Sequence, residues 1–320
     1  QKKENLTGSV SEVESESLEN RSLSSATEAL QGTAPGLNME PIGLGGEPGS
    51  SNTSLNIRGV GTLTGGGGEP YILVDGMPMD INEVDPDDIE SVSVLKDAAA
   101  SAIYGARAPY GVILIETKKG QKDEALNIEY NGSMSTQHAT TLPKNMESVP
   151  FARWINFDCE KAGISKLYNE EDINGIKGYA NGEIDYETIP RKADPTLWAH
   201  NGHNGGHSNR QLMHLFWDNW VPRQKHNISA SGGTENTNYY VSSGYYYEDG
   251  IMTWGDEYHE KYNITANISS SVEEWITLNI NTKYVRNEIQ RPKPPKNNDR
   301  RYTWNFIAAQ SPTTPLYAPD

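Results

Sequence analysis

The sequence is poor in features that mark several common protein classes, and each shortage removes a class. It contains one cysteine, Cys159, which excludes an intrachain disulfide framework and a cysteine-rich metal site. No stretch approaches the ~20 consecutive apolar residues of a membrane-spanning helix, and the mean hydropathy is −0.69. The sequence therefore does not encode a helical membrane protein.

Basic residues are also scarce. The chain has 27 Lys and Arg against 43 Asp and Glu, a formal net charge of −16. Binding to nucleic-acid phosphates requires clustered basic side chains, and the short basic group within residues 291–301 alternates with prolines, as in a solvated loop. We expect no nucleic-acid partner, and the acidic balance disfavours strongly anionic substrates.

Phenylalanine is rare, whereas the amphipathic aromatics are common: 4 Phe against 17 Tyr and 7 Trp. Tyr and Trp suit interfaces at which one end of the ring stays wet. Trp198, Trp217, Trp220 and Trp254 have two interpretations, stacking on sugars or packing in a membrane girdle.

The first 122 residues predict a small α+β domain. Strand patterns cover residues 8–13, 54–60, 71–74, 91–95 and 112–117, and a short helix fits residues 25–31. Asp75-Gly76 follows a strand and predicts a tight turn.

An acidic stretch, DINEVDPDDIE, has two interpretations. Asp85 followed by Pro86 is typical of a helix start, with acidic residues near the positive end of the helix dipole. Calcium is the alternative, with oxygens from Asp80, Glu83, Asp85, Asp87, Asp88 and Glu90. The stretch lacks the alternating ligand spacing of a calcium loop, which favours capping.

Residues 89–120 place small side chains between two apolar runs. A helix over Asp97 to Tyr104 is short and has little surface to bury against the rest of the domain. Its alanines and serines allow it to pack close to a sheet. Gly105 and Gly111 permit a sharp return into the second run. The pattern predicts a compact βαβ-like unit and indicates no catalytic role.

After residue 122 the pattern becomes strictly alternating. Four segments between 225 and 284 and one over 126–137 have one apolar and one strongly polar face, as in Ile264, Ala266 and Ile268 opposite Asn263, Thr265 and Asn267. Short turns alternate with long connections, the longest over 138–224. This sorting of connections is typical of an outer-membrane barrel.

The stretch IESVSVLKDAAASAIYGARAPYGVILIETKKG (89–120) closely resembles the plug signature of SusC/RagA-type TonB-dependent outer-membrane transporters. Residues 6–39, 54–63, 69–79 and 217–251 support the resemblance, in the same order along the chain. The signature positions are Asp75, Gly76, Lys96, Asp97, Tyr104, Gly105, Arg107 and Gly111.

The resemblance implies a transmembrane β-barrel of 22 antiparallel strands with an internal α+β plug domain. Residues 1–122 then form the plug, and residues 123–320 form roughly the first five strands, with an extracellular excursion over 138–224. A barrel of that size needs more residues than follow the plug here, so we expect the sequence to be part of a longer protein.

The resemblance further implies an outer membrane of a Gram-negative bacterium, with lipid around the barrel and a SusD-like surface lipoprotein as a lid. TonB would bind through a segment ahead of the position matched by Gln1, and two SusCD pairs would associate as a dimer. The implied function is TonB-dependent import of an oligosaccharide or peptide, not an enzymatic reaction. The alternatives are a SusC-like scaffold without its own transport and a soluble β-rich binding protein.

Substrate contacts are expected from outward plug loops. The candidates are Glu47, Asn52, Thr62, Leu63, Thr64 and Glu69, in two glycine-rich loops that satisfy no phosphate-binding pattern. A histidine cluster, His200, His203, His207 and His214, contains no carboxylate or cysteine and is interpreted as a polar exterior loop rather than a metal site. We expect no cofactor and no metal.

Overall fold

The computed structural model describes residues 10–15, 25–33, 35–41, 48–49, 53–57, 68–96, 102–188, 190–191, 194–198, 206–217, 219–253, 255–291 and 310–315. The chain forms two compact units. The first comprises residues 1–137, 220–250 and 256–291, and the second comprises residues 138–219, 251–255 and 292–320.

The plug region of the first unit is built from short elements. Among the described residues its strands are β1 (Val10–Glu14), β2 (Leu37–Pro41), β3 (Thr53–Ile57), β4 (Tyr71–Val74), β5 (Met77–Pro78), β6 (Ile89–Leu95) and β7 (Val112–Thr117). The described part of the plug region also forms one α-helix, α1 (Ala26–Leu30). Short 3₁₀ helices cover Ile81–Glu83, Pro86–Asp88 and Ala102–Arg107. The main sheet has the order β1-β6-β7-β4-β5, which confirms the predicted α+β plug.

The plug core lies between the main sheet and α1. Four side chains of the central strands β6 and β7 belong to this core and are at most 1 % exposed: Val92, Val94, Ile113 and Ile115. Burial of each such side chain stabilises the fold by about 1.5–3 kcal/mol. The plug therefore has its own apolar core.

The predicted βαβ-like unit is wrong, because β6 and β7 pair antiparallel. The parallel pair is β4 with β7. The described helical part of the connection spans six residues, Ala102–Arg107, and is interrupted at Gly105 (φ 64, ψ −148). These residues do not form the continuous crossover helix that usually joins parallel strands. Residues 97–101, which hold most of the small side chains, lie outside the described residues.

In the described part of the chain, five longer strands follow the plug. After β8 (Asn127–Gln137) the chain forms α2 (Ser148–Lys161), α3 (Glu170–Ala180), β9 (Pro190–Arg191), β10 (Asp194–Trp198) and α4 (Leu212–Trp217). It then forms β11 (Val221–Gly233), β12 (Thr237–Asp249), β13 (Tyr258–Glu273) and β14 (Ile276–Gln290). The sheet order β14-β13-β12-β11-β8 is antiparallel throughout. We call these five strands the wall.

The wall is inverted relative to a soluble sheet. Ile264 is 47 % exposed, whereas its neighbour Asn263 is 4 % exposed. The same alternation exposes Ile128, Ile228, Val241 and Ile280 and buries Asn227, Ser242, Thr265 and Asn267. The predicted apolar and polar faces are confirmed, and the polar face is the one turned to the plug.

The connections between wall strands alternate in length, as predicted. Residues 234–236 and 274–275 are short turns, whereas 138–220 and 250–257 are longer. The excursion ends at 220 rather than 224, because β11 already begins at Val221.

The second unit packs α2 against α3. Ala152, Tyr168, Ile173 and Ile176 form its core, and the Asn156 amide donates to the Tyr168 carbonyl oxygen at 2.7 Å. Among the described residues, no helix has both the length and the apolar character needed to span a bilayer.

Candidate functional site

The plug and the wall meet through polar groups at a surface we call the seam. On the plug it consists of Asp75, Asp85, Asp87 and Asp88; on the wall it consists of Lys225, Asn227, Tyr240, Asn263, Thr265 and Lys283. All of them belong to the first unit.

Asp85 is positioned by its own 3₁₀ helix. It is the N-cap of Pro86–Asp88, and its Oδ1 accepts a hydrogen bond from the Asp87 amide at 3.0 Å. Pro86 fixes the first helical position. The predicted capping role is thereby confirmed, and the same carboxylate faces the wall.

The wall surrounds the Asp85 carboxylate with donors from β11 and β13, the two strands that flank β12. Lys225 Nζ lies 3.0 Å from Oδ1, and Oδ2 accepts from the amides of Asn227 at 3.2 Å and Asn263 at 2.9 Å. Gly244 leaves the required space, because a methyl group there would overlap Oδ2 of Asp85. The carboxylate is buried, ionically paired and hydrogen-bonded at both oxygens.

Asp87 and Asp88 contact different groups. Asp87 Oδ2 lies 2.8 Å from Lys225 Nζ, and Oδ1 accepts from the Asn131 amide at 3.2 Å. Asp88 accepts from the hydroxyls of Tyr240 at 2.9 Å and Thr265 at 2.7 Å. Lys225 thus bridges two carboxylates, while Asp88 is met by neutral hydroxyl donors.

The carboxyl groups consequently have different acidities. Burial opposes ionisation of Asp85, but Lys225 and the Asn263 hydrogen bond outweigh it and lower the pKa to about 2. Burial raises the pKa of Asp87, with Lys225 opposing and Asp85 adding to the shift. Burial and then the Asp85 charge raise the pKa of Asp88, against its hydroxyl hydrogen bonds.

A second contact forms at the predicted Asp75-Gly76 turn. Both residues have positive φ, 49° and 84°, as a two-residue hairpin turn requires. The Asp75 carboxylate accepts from the Thr117 amide at 3.0 Å and the Thr117 hydroxyl at 2.6 Å, and it pairs with Lys283 of β14. Burial opposes ionisation, but Lys283 and Thr117 prevail and lower the pKa of Asp75.

The chain between β7 and β8 also lies close to the wall. The Asn238 amide donates to the Gly120 carbonyl oxygen at 2.5 Å, and a methyl group on Gly120 would overlap the Tyr239 carbonyl oxygen. The wall therefore contacts the plug at three places. These are the acidic turn (residues 85–88), the Asp75-Gly76 turn, and the segment that leads from β7 to β8.

Five of the six predicted substrate-contact residues fall outside the described part of the chain. Glu47, Asn52, Thr62, Leu63 and Thr64 lie outside the described residues, and Glu69 is exposed. The described part of the first loop is contacted by the residue that follows β14: Arg291 donates to the Pro48 carbonyl oxygen at 3.2 Å.

The described signature residues pack within the plug. The Arg107 guanidinium lies 5.5 Å from the centre of the Tyr71 ring, and the Tyr104 ring lies 6.4 Å from it. Lys96 donates to the Ser11 hydroxyl. Gly111 has φ 97°, and a methyl group there would lie 2.9 Å from the Leu95 carbonyl oxygen. Asp97 lies outside the described residues.

Sequence reasoning missed the seam. Three lysines on the polar face of the wall strands could have indicated it: Lys225, Lys261 and Lys283. The sequence does not show, however, which plug residues these lysines contact. Of the four histidines, His200 and His203 lie outside the described residues. In the part that the structure describes, no group of three or more His, Cys, Asp or Glu is arranged to hold a metal.

Comparison with known proteins gives concordant matches. Residues 2–112 match the TonB-dependent Receptor Plug Domain family. The chain is 28% identical to the TonB-dependent receptor SusC of Bacteroides thetaiotaomicron, over 99% of this chain and 28% of that protein. It is 31% identical to the TonB-dependent receptor P3 of Formosa agariphila, over 88% of this chain and 23% of that protein.

Among solved structures, the fold of this chain is similar to the structure of the RagAB peptide importer in the 'closed-closed' state. The TM-score is 0.68 at 27% identity, over 89% of this chain and 31% of that one. The chain spans 28% or less of the curated relatives just named. These matches are to receptors rather than to enzymes, and they confirm the resemblance in the plug signature. The chain therefore belongs to the SusC/RagA-like TonB-dependent receptors of the Gram-negative outer membrane, and it comprises their plug domain and initial barrel strands.

Proposed function

We propose that the protein is the channel subunit of a TonB-dependent importer, in which the plug closes the lumen until force applied from the periplasm moves it. The observation that carries the proposal is the seam. Charged and amide groups join the plug to the wall, whereas the plug has an apolar core of its own. A body with its own core and a polar contact surface can move as a unit.

The proposed substrate is an oligosaccharide or a peptide. RagAB is a peptide importer, and its likeness to this chain supports the peptide class. The likeness to the receptor SusC specifies no substrate, so the oligosaccharide class remains the second candidate.

The proposed partners are a SusD-like surface lipoprotein that closes over the barrel, TonB, and a second SusCD-type pair. The two-component RagAB structures support the lipoprotein. To test this, we would purify the protein from its native membrane in detergent and identify copurifying chains by mass spectrometry. A single lid-type lipoprotein is the expected result, and a soluble chain or a set of unrelated envelope proteins would contradict it.

Uptake provides the second test. Cells that carry the protein should accumulate a labelled peptide or oligosaccharide, and accumulation should stop when TonB is deleted. Loss of the protein without any change in uptake of either substrate class would contradict the proposal.

A scaffold role within a larger envelope assembly is the alternative. In a scaffold the ion pairs of Lys225 and Lys283 would hold the plug in place permanently, whereas import requires them to break. A disulfide engineered across the seam separates the two roles. It should abolish import if the plug moves, and it should leave the assembly intact if the protein is a scaffold.

A further inference from the structure

We propose that the wall carries a carboxylate-binding receptacle, filled by Asp85 in this structure, which receives the carboxylate of an anionic substrate once the acidic turn has moved away. The receptacle consists of Lys225, Asn227, Gly244 and Asn263. The proposal rests on the proposed import function, because only a channel brings a substrate to this face of the wall.

The donors of the receptacle belong to the wall and not to the plug. Lys225 and the two asparagine amides meet both oxygens of one carboxylate, at 3.0, 3.2 and 2.9 Å. Charge-assisted hydrogen bonds of this kind are about twice as strong as neutral ones. When the acidic turn leaves, these donors stay in place on β11 and β13.

The strand register preorganises the receptacle. Asn227 lies opposite Gly244, and Gly244 lies opposite Asn263, so amide, glycine and amide form one row across three strands. The missing side chain at Gly244 makes room for an oxygen, since a methyl group there would lie 2.6 Å from Nδ2 of Asn263. The shape fits a planar carboxylate between two amides.

The neighbouring inward row is cationic. Lys225 lies opposite Tyr246, which lies opposite Lys261, and both lysines are buried. The wall carboxylate Glu248 is already paired with Arg223 at 2.8 Å. Lys261 Nζ donates to the Asn82 carbonyl oxygen at 2.7 Å. Removal of Asp85 and Asp87 therefore leaves the Lys225 ammonium group beside the amide row without its carboxylate partners. The overall charge of −16 is opposite in sign to this local surface.

The ligand chemistry is a carboxylate presented on a neutral or acidic chain. Two sources provide it: acidic side chains or termini of a peptide, and uronic acid units of an oligosaccharide. A bare phosphate is less suitable, because the row presents a flat site for two oxygens.

An emptied receptacle tests the proposal. Asp85→Gly removes the carboxylate, and glycine is tolerated at an N-cap. We would measure the rate at which a protease cuts the plug of the detergent-solubilised protein. The substitution should raise this rate by at least about tenfold, because it leaves Lys225 short of a partner. Sodium acetate should reverse the rise saturably, whereas sodium chloride at equal ionic strength should not.

Two controls make the result specific. In Asp85→Asn an amide fills the space, so acetate should have no effect. Adding Lys225→Met to Asp85→Gly should abolish the acetate effect. Equal protection by chloride, or by acetate in Asp85→Asn, would overturn the proposal. If Asp85→Gly does not fold, Asp85→Ser keeps a capping oxygen and open space, and it takes the same test.

Larger probes distinguish the two sources. Diglutamate and digalacturonate are compared with the neutral diglutamine and digalactose in Asp85→Gly. Each probe is too large to share the receptacle with the acidic turn, so an acidic probe that binds should keep the plug off the wall and raise the cutting rate of Asp85→Gly further. A rise with one acidic compound assigns the source, a rise with both shows that either source fits, and a rise with neither overturns the substrate assignment. A positive acetate result in a protein that imports nothing would refute the proposed function alone, so the two failures are distinguishable.

Discussion

The ammonium nitrogen of Lys225 lies 3.0 Å from Oδ1 of Asp85, with both side chains less than a tenth exposed. One residue lies in the middle of a wall strand and the other caps a single turn of the plug. A buried pair of this kind is strongly destabilised when one partner is removed, because the other charge stays buried.

Replacing the lysine should loosen the plug. Lys225→Met leaves the carboxylates of Asp85 and Asp87 buried without their ammonium partner, and we expect a loss of about 3–5 kcal/mol in docking free energy. The denaturant concentration at which the plug becomes protease-sensitive measures it. Arg286→Met is the matched control, since it breaks the exposed pair with Glu288 on the outer face. Equal effects of the two substitutions would contradict a buried seam.

Placing a side chain at Gly244 should also loosen the plug, without any change of charge. A methyl group at Gly244 overlaps Asp85 Oδ2, so Gly244→Ala should displace the acidic turn and expose the plug to protease. Ser243→Ala, at the adjacent exposed position on the same strand, should leave plug sensitivity unchanged. Normal protection in Gly244→Ala would show that the acidic turn does not lie against β12.

Acid should release the contact made by Asp85. Its pKa is lowered from 3.8 to about 2, so its contribution to docking is present above pH 3.8 and is lost as the pH falls toward 2. Protease sensitivity should rise over that interval in the native protein and change less in Asp85→Asn. An identical acid profile in the two proteins would assign the release to other groups.

Asp88 should behave in the opposite way. Its pKa is raised, so its favourable contribution is complete below the unfolded value and is lost as the pH rises through the folded value. Asp88→Asn should therefore dock at least as firmly as the native protein at pH 7, and the difference should shrink toward pH 4. Strong destabilisation of Asp88→Asn at pH 7 would contradict this sign.

The outer face of the wall should require apolar side chains. Ile264→Arg places a charge within the exposed apolar band, at a cost of about 2–4 kcal/mol if this is the bilayer midplane. Gln290→Arg, at the exposed end of β14, should cost far less. Unfolding from phospholipid bilayers in denaturant compares the two variants. Equal costs would show that Ile264 does not face lipid.

Local physics made the strands and turns predictable. The period-two alternation around Ile264 assigns a face to each residue, and Asp75-Gly76 encodes its turn in two adjacent residues. The antiparallel pairing of β6 and β7 was not predictable, since both directions are compatible with two apolar runs. The seam was hidden for a related reason. Asp85 looks like an ordinary cap, and only the tertiary fold brings it to Lys225, Asn227 and Asn263.

The polar character of both sides of the seam has a thermal consequence. Exposure of apolar surface raises the heat capacity of a protein, whereas exposure of polar surface lowers it. Withdrawal of Asp85 from between Asn227 and Asn263 hydrates charges and amides, so it should add little heat capacity. Melting of the plug core around Val92 and Ile113 should add a great deal. The free energy of plug withdrawal should therefore vary almost linearly with temperature, whereas that of plug unfolding follows a curved profile.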